Sequence, residues 1–267
     1  MTAVTAERPP ARSNTAAPSP IPFARILGVE LTKIFDTRSG FWLTAGIGIS
    51  AVLATAAVIL FAPNDDLTYD SFGAAIGMPM VVLLPIMAIL LVTSEWSQRS
   101  GLTTFTLVPH RSRVIMAKMT VAVLVGAVSI VVALGIGAVG NVLGSAIAGV
   151  DTVWDISTNQ VFSLVLANVL GLLVGFMLGV LIRNSAGAIV AYFVYGFVLA
   201  GLTALLADSQ QWFRDLQPWV DFNYAQSALF EGSLTGEQWA NLGVAGVLWL
   251  VIPLAVGLVL IRRSEVK

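Results

Sequence analysis

The fold of this chain is decided by two adjacent stretches, ISTNQVFSLVLANVLGLLVGFMLGVLI (156–182) and NSAGAIVAYFVYGFVLAGLTALLA (184–207), which only Arg183 separates. Neither stretch contains Asp, Glu, Lys, Arg or His. Each is longer than the about 20 residues that an α-helix needs to cross a hydrocarbon core of ~30 Å. The two stretches therefore predict consecutive transmembrane helices that are joined by a tight turn.

Four further runs without charge lie outward from this pair, at 39–64, 71–94, 119–150 and 238–261. A hydrophobic fraction of 57% and a mean hydropathy of +0.87 exclude an ordinary soluble domain. The run 119–150 exceeds one crossing, so we expect residues 142–150 to leave the membrane or to bend back. The sequence predicts an all-α integral membrane fold with six transmembrane helices, at about 41–61, 72–93, 119–141, 161–182, 186–207 and 239–261.

The basic residues divide unequally between the two ends of the predicted spans. Thirteen of the fourteen Lys and Arg residues fall on one side, and only Arg214 lies on the other. Ten of the fifteen acidic residues fall on the side of Arg214. By the positive-inside rule the basic side is cytoplasmic, so both termini face the cytoplasm of a multi-pass protein in the inner or plasma membrane.

Composition also bounds what lies outside the spans. Residues 1–22, rich in Ala, Pro, Ser and Thr, predict a disordered cytoplasmic tail, and residues 23–267 form one six-span domain. The chain has no cysteine, and its only histidine, His110, falls in a predicted cytoplasmic loop. Thiolate chemistry and cysteine-based metal sites are therefore excluded.

The segment from Phe23 to Arg38 is predicted to be an amphipathic helix. Its apolar residues recur at helical spacing, and Glu30 and Lys33 fall on the polar side. Such a helix should lie flat at the cytoplasmic surface, with its cations near anionic lipid. A plain extension of the first span is the alternative. Gly40 is expected to break the helix and to turn the chain into the bilayer.

The loop between spans two and three, SEWSQRSGLTTFTLVPHRSRVIMAK (94–118), places apolar residues between charged flanks. A simple connection does not need them, so we interpret Leu102, Phe105 and Leu107 as a docking element for a cytoplasmic partner. An interfacial turn that faces lipid is the alternative. Pro109 favours a new helix that leads into the third span.

Span four carries a stripe of small residues, Gly171, Gly175 and Gly179, on one helical face. Small residues at this spacing let helix backbones approach closely. The stripe predicts close packing, either within the subunit or at a subunit contact or moving seam.

Polar residues are scattered through the predicted spans. Most such residues hydrogen-bond between helices, but some line substrate paths. The candidates for a path are Asn141, Asn168, Tyr192 and Tyr195. On the outer side, the aromatic segment 208–237 predicts short interfacial or re-entrant helices between spans five and six.

No ionisable residue lies inside a predicted span, and this bears on the energy source. Proton-driven carriers usually depend on such residues, and the chain has no GxxxxGK[S/T] motif to hold ATP. An active transporter of this composition must take its energy from another chain.

Enzyme functions are not indicated by the sequence. An intramembrane serine protease would need a serine motif and a histidine within the spans. The acidic residues of 64–70 do not have the spacing found in membrane prenyltransferases, and they lie on the predicted outer side of the membrane. We therefore predict no catalytic residue, metal site or cofactor in this chain.

The topology and the loop together resemble the membrane subunits of type-2 ABC exporters. Topology agrees over about 23–263, and the motif covers about 25 residues. Thr103 and Thr104 depart from the commonest spelling. The residues that carry the resemblance are Glu30-x-x-Lys33 and the run Glu95…Arg99-x-Gly101-Leu102…Leu107-x-Pro109…Arg113…Lys118, similar to the family's Glu…Gly-Thr-Leu…Leu…Pro…Arg…Lys.

The resemblance implies the transmembrane subunit of an ATP-driven exporter for a drug, lipid, peptide or glycan-lipid. Its implied partners are a second copy or a paralogue, membrane lipids, and two cytoplasmic ATPase subunits that hold ATP and Mg; no nucleic acid is expected. A coupling helix between spans two and three would transmit the ATPase movement. The implied ATPase-coupling residues are Glu30, Lys33, Glu95, Arg99, Gly101, Leu102, Phe105, Leu107, Pro109, Arg113 and Lys118.

Two other functions remain open at this point. A six-span substrate-capture subunit of a vitamin importer also borrows an ATPase, but such subunits dock through small residues on a span rather than through an apolar loop. A membrane enzyme or passive scaffold is the second alternative, and it would act without ATP or a partner.

Overall fold

The computed structural model describes residues 21–97 and 111–263, where the chain is almost wholly helical. Six helices in these ranges are long and apolar enough to cross a membrane, by length and composition. The prediction of an all-helical, six-span protein is thereby confirmed at this level. The predicted tail up to residue 20 and the docking element within 98–110 lie outside the described residues.

The elements follow the order of the predicted spans. An entry helix precedes the first span, and two short helices separate the last two. The first five helices are α1 (Phe23–Asp36), α2 (Arg38–Phe61), α3 (Tyr69–Ser97), α4 (Arg111–Ala148) and α5 (Thr158–Ile182). They are followed by α6 (Ser185–Ser209), α7 (Gln211–Val220), α8 (Phe222–Ser227) and α9, which begins at Gly236 and ends at Arg263.

The turn from α1 into α2 lies at Thr37, not at Gly40 as the sequence suggested. Thr37 has an extended backbone, and its side chain caps α2 by accepting a hydrogen bond from the Gly40 N–H at 3.2 Å. A Cβ atom on Gly40 would overlap the carbonyl of Ile34. Glycine is therefore required here because the two helices approach each other closely, and the break itself comes from the residue before α2.

The sequence predicted that residues 142–150 either leave the membrane or bend back, and helix α4 excludes the bend before Ala148. It has 38 residues and is continuous to Ala148, which corresponds to about 57 Å at 1.5 Å per residue. The chain therefore does not bend back before Ala148. Gly149, with φ of 69°, ends the helix in the left-handed region that glycine adopts without strain.

The core of the bundle is built around α3, which packs against α2, α4, α5 and the first part of α6. Half of the most apolar window of α3 is buried, and the same holds for α5. The corresponding share for α6 is 6%, so its apolar side chains point away from the bundle. Helices α3 and α5 thus form the centre, and α6 lies at the periphery.

The charges define two ends of the bundle. The basic end holds the start of α2, the end of α3, the start of α4 and the end of α9. The acidic end holds the short 3-10 turn Asn64–Asp66 and the connection between α4 and α5, which joins the start of α3 through a bridge between Thr68 and Val153.

Candidate functional site

The inward face of α1 combines two apolar residues with one carboxylate. Ile26, Glu30 and Ile34 are buried, and they recur every four residues along the helix. The sequence pattern assigned Glu30 to the polar, outward side, and that assignment is wrong. An apolar stripe shows that a helix is amphipathic, but it does not show which part of its surface a neighbouring helix will cover. Helix α1 packs against α2 and α4 through this face.

Glu30 belongs to a closed ring of four alternating charges, Glu30, Lys33, Glu95 and Lys118, which we call the ion ring. Lys118 Nζ lies 2.6 Å from Glu30 Oε2 and 3.1 Å from Glu95 Oε1. Lys33 Nζ lies 2.8 Å from Glu30 Oε1 and 3.0 Å from Glu95 Oε1. Each carboxylate therefore pairs with both ammonium groups, and the formal charge of the ring is zero.

A buried ammonium group needs an acceptor for each of its N–H donors, and Lys118 in the ion ring has them. The side chain of Lys118 is fully buried, and its third donor reaches the carbonyl oxygen of Leu91 at 3.2 Å. All three N–H donors of this ammonium group are thus used. Burial alone would lower the pKa of the Lys33 ammonium, but hydrogen bonding and attraction by Glu30, followed by Glu95, raise its pKa above the ordinary value of 10.5.

The ion ring joins three elements at the basic end. Glu30 and Lys33 come from α1, Glu95 comes from the end of α3, and Lys118 comes from the first turns of α4. Residues 98–110 begin directly after α3 and finish directly before α4. Both flanks of that segment are therefore held to each other and to α1 by buried ion pairs. A force applied to 98–110 acts on three connected helices.

The other coupling residues predicted from the sequence cannot be placed in the same way. Arg113 is described and half-buried near the start of α4, outside the ring. The remaining six, Arg99, Gly101, Leu102, Phe105, Leu107 and Pro109, lie outside the described residues. Their role in docking stays a prediction.

The glycine stripe of α5 packs inside the chain against α3. A Cβ atom on Gly175 would lie 2.6 Å from the carbonyl oxygen of Pro85, and one on Gly179 would overlap the Val92 side chain. Gly171 differs, because its Cβ would meet only the Gln226 amide nitrogen at 3.4 Å. Two of the three glycines thus permit close contact of the two central helices.

Three of the four candidate path residues line one cavity of about 160 Å³. Asn168 comes from α5, and Tyr192 and Tyr195 come from α6. The Tyr192 hydroxyl donates to the carbonyl of Val81 at 2.7 Å, which ties α6 to α3. The hydroxyl of Tyr195 and Oδ1 of Asn168 are buried, and neither has a hydrogen-bond partner in the described structure.

The fourth candidate, Asn141, lies elsewhere. It is buried in α4, and its amide donates to the carbonyl of Val153 at 2.8 Å. The same carbonyl accepts the backbone N–H of Tyr69 at 3.1 Å. Asn141 thus helps to fasten the α4–α5 connection at the acidic end, and it does not border the cavity.

The segment between α6 and α9 reaches deep along α5. Gln226, near the end of α8, donates to the carbonyl of Ala167 at 2.7 Å and contacts Gly171. Gly171 lies thirteen residues beyond the start of α5, about 20 Å along its axis. The short helices therefore enter the bundle from the acidic end. Asn223 and Gln226 of α8, with Phe230 in the 3-10 turn after it, form one wall of the cavity.

Sequence reasoning missed two π-helical turns, Val194–Leu199 in α6 and Val247–Val251 in α9. Their aromatic residues meet, since the rings of Tyr195 and Trp249 lie 5.9 Å apart. Trp249 also donates its indole N–H to the carbonyl of Val220 at 2.6 Å, at the end of α7. Single π turns often occur at functional sites. No local signal marks them, because the extra residue per turn depends on packing.

No protein-family model matches this chain, and no curated protein is significantly similar to it.

Proposed function

We propose that this chain is the transmembrane subunit of an ATP-driven exporter, energised by separate ATPase subunits that dock at the basic end. The exported molecule would be hydrophobic or amphipathic. In this proposal the segment 98–110 receives the ATPase, and the basic end faces the cytoplasm, as the distribution of Lys and Arg favours.

The observation that carries the proposal is the ion ring. Residues 98–110 combine apolar side chains with charged flanks, and both flanks are fixed to α1 through Glu30, Glu95 and Lys118. A loop that only connected two spans would not need such an anchorage. A loop that must pass mechanical work into the bundle does, because movement at a loose attachment would be lost.

The charge-free runs that make up most of the spans support an external energy source. The stretches 71–94, 119–150, 156–182 and 184–207 contain no ionisable Asp, Glu, Lys, Arg or His. Ion-coupled transport usually relies on such groups within the membrane. The cavity between α5 and α6 lies about halfway along both helices, where a cargo site would have to be.

The test is co-purification of an ATP-hydrolysing subunit from native membranes with the tagged full chain. We expect the variants Leu102→Asp and Phe105→Asp to lose this subunit, because each places a carboxylate on the docking element. The matched control is Trp212→Asp, which changes an exposed aromatic residue at the acidic end. The control should retain the ATPase at the level of the unchanged chain.

The result separates the proposed function from its alternatives. If ATP hydrolysis co-purifies equally with all variants, the segment 98–110 is not the docking element. If no hydrolysing subunit accompanies the unchanged chain, the exporter proposal fails. Activity of the isolated chain without ATP would then favour a membrane enzyme.

A further inference from the structure

Two residues that line the cavity between α3, α5, α6 and α8 each carry a buried polar atom without a partner among the described residues. Asn168 is 6% exposed, and its Nδ2 donates to the carbonyl of Leu164 at 2.9 Å. Its Oδ1 accepts no hydrogen bond within the described structure. The Tyr195 hydroxyl is also buried and has no hydrogen-bond partner within the described structure. Leaving a buried polar atom unpaired is unfavourable, so a partner is expected at both.

Two other polar groups of the cavity are already engaged. The Tyr192 hydroxyl donates to Val81, and the Gln226 amide donates to Ala167. Among the buried polar atoms of the lining residues, the unfilled hydrogen-bonding capacity is thus one carbonyl-type acceptor and one phenolic hydroxyl. A hydroxyl group suits either atom, because it can donate to Asn168 Oδ1 or accept from the Tyr195 hydroxyl. An amide N–H next to a carbonyl would do the same.

The residues that line the cavity indicate the charge of its ligand. The described residues that line the cavity include no Asp, Glu, Lys, Arg or His. Placing an ion among these neutral groups would be costly without an opposite charge nearby. Aliphatic and aromatic side chains supply most of the surface, with Val82, Val174 and Phe197 among them. The cavity therefore suits an uncharged molecule with an apolar body.

A second cavity shares two wall residues with the first. This second cavity of about 280 Å³ lies on the other side of Tyr195 and Asn223, which border both. Asp221 lines this second cavity, but its carboxylate caps α8 by accepting from the N–H groups of Asn223 and Tyr224 and also accepts from Gln217. Each cavity is smaller than the roughly 300–1,000 Å³ of sites for drug-sized ligands, so the first suits a small molecule.

We propose that this cavity binds an uncharged, apolar molecule bearing a hydroxyl or amide group, with Asn168 and Tyr195 as its polar contacts. That this molecule is the exported cargo rests on the proposed function. Binding itself does not, because every group involved belongs to this chain. Tyr195 lies in the π-helical turn of α6 and touches Trp249 of α9, so the ligand would sit where the two peripheral helices meet.

The test uses azioctanol, a neutral alcohol with a photoreactive diazirine group, on the purified full chain in lipid nanodiscs. We expect adducts on α6 around Tyr195 and on α5 around Asn168, mapped by mass spectrometry. Azioctane, which has the same skeleton without the hydroxyl, should label these positions about three- to tenfold less, the effect of one net hydrogen bond. Excess octanol should compete with azioctanol.

Two variants test the polar contacts, and a third serves as a matched control. Asn168→Leu and Tyr195→Phe should each reduce azioctanol labelling about three- to tenfold at the remaining positions. Asn241→Leu removes another buried asparagine whose Oδ1 lacks a partner, but Asn241 does not border the cavity, so labelling should be unchanged. Because Tyr195→Phe removes a single oxygen atom, it keeps the test informative if Asn168→Leu fails to fold.

Equal labelling by the alcohol and the alkane would overturn the proposal. So would adducts confined to other parts of the chain, or equal losses in Asn168→Leu and Asn241→Leu. Site-specific labelling without any co-purifying ATPase would keep the binding site and reject the exporter. An associated ATPase without labelling would reject the site alone. Stimulation of ATP hydrolysis by azioctanol in the intact complex would identify the site with the cargo path.

Discussion

Lys118 Nζ lies 2.6 Å from Glu30 Oε2, and neither side chain is exposed by more than 2%. The two residues are 88 positions apart in the chain, so this contact fixes the entry helix to the start of the third span. Buried pairs of this kind contribute little relative to apolar residues, but removing one partner is costly because the other charge is left buried.

Replacing Lys118 by Met leaves two buried carboxylates with only Lys33 to compensate them. We expect the free energy of unfolding to fall by about 3–5 kcal/mol. Unfolding of the purified chain in detergent, followed by circular dichroism, measures the change. Arg38→Met is the control: Arg38 is exposed at the same end, so the change should stay within about 0.5 kcal/mol.

The double variant Glu30→Gln with Lys118→Met tests whether the charges act as a pair. It removes one charge of each sign and leaves Lys33 and Glu95 together. We expect it to lose less stability than Lys118→Met alone, measured by the same unfolding experiment. A loss equal to the sum of the two single variants would show that the groups contribute independently.

Gly175→Ala tests the close contact between the two central helices. The added methyl group would lie under 3 Å from Pro85 backbone atoms, which cannot move aside as a flexible side chain can. We expect a loss of about 1–3 kcal/mol in unfolding free energy. Gly171→Ala is the matched control on the same stripe, since its methyl group meets the Gln226 side chain at 3.4 Å. Equal effects at both positions would contradict tight packing at Gly175.

The six spans could be predicted from the sequence because the signal is local. Charge-free runs such as 156–182 contain both the length and the apolar character of a crossing helix. The resemblance pattern also selected Glu30, Lys33, Glu95 and Lys118 as related residues. It did not show that they contact one another, because the Lys33–Glu95 pair spans 62 positions and depends on how three helices pack.

Burial was the property that the sequence could not supply. Glu30 falls on the polar side of its helix by periodicity, yet α4 covers it and provides Lys118 as a partner. The same limit applies to the path candidates. Asn168 and Asn141 both lie in largely apolar helices, and only the packing of α8 against α5 places the first at a cavity.

Trp249→Phe tests whether the indole group holds α7 against the bundle. Phenylalanine keeps an aromatic ring, though a smaller one, and removes the N–H that donates to Val220 at 2.6 Å. Loss of one hydrogen bond should raise amide hydrogen exchange within 211–220 by about three- to tenfold. Trp239→Phe is the control, since Trp239 is exposed in α9. Unchanged exchange in Trp249→Phe would mean that Phe213 and other packing contacts suffice to hold the segment.

The pH dependence of the stability that the ion ring provides should show whether burial or ion pairing determines the pKa of Lys33. Burial would lower its pKa, but pairing with Glu30 and Glu95 raises it above 10.5. A group with a raised pKa in the folded state stabilises fully below its unfolded value, and the contribution disappears as pH rises through the folded value. The stability difference between the unchanged chain and Lys33→Met should therefore stay constant from about pH 7 to 10 and decrease above 10.5.

Because the Lys33 side chain is 35% exposed, we expect a difference of only about 0.5–1 kcal/mol. Detergent unfolding at each pH measures it, with Arg38→Met as a control for general alkaline effects. A difference that instead increases between about pH 7 and 10 would show that burial outweighs pairing and lowers the pKa of Lys33.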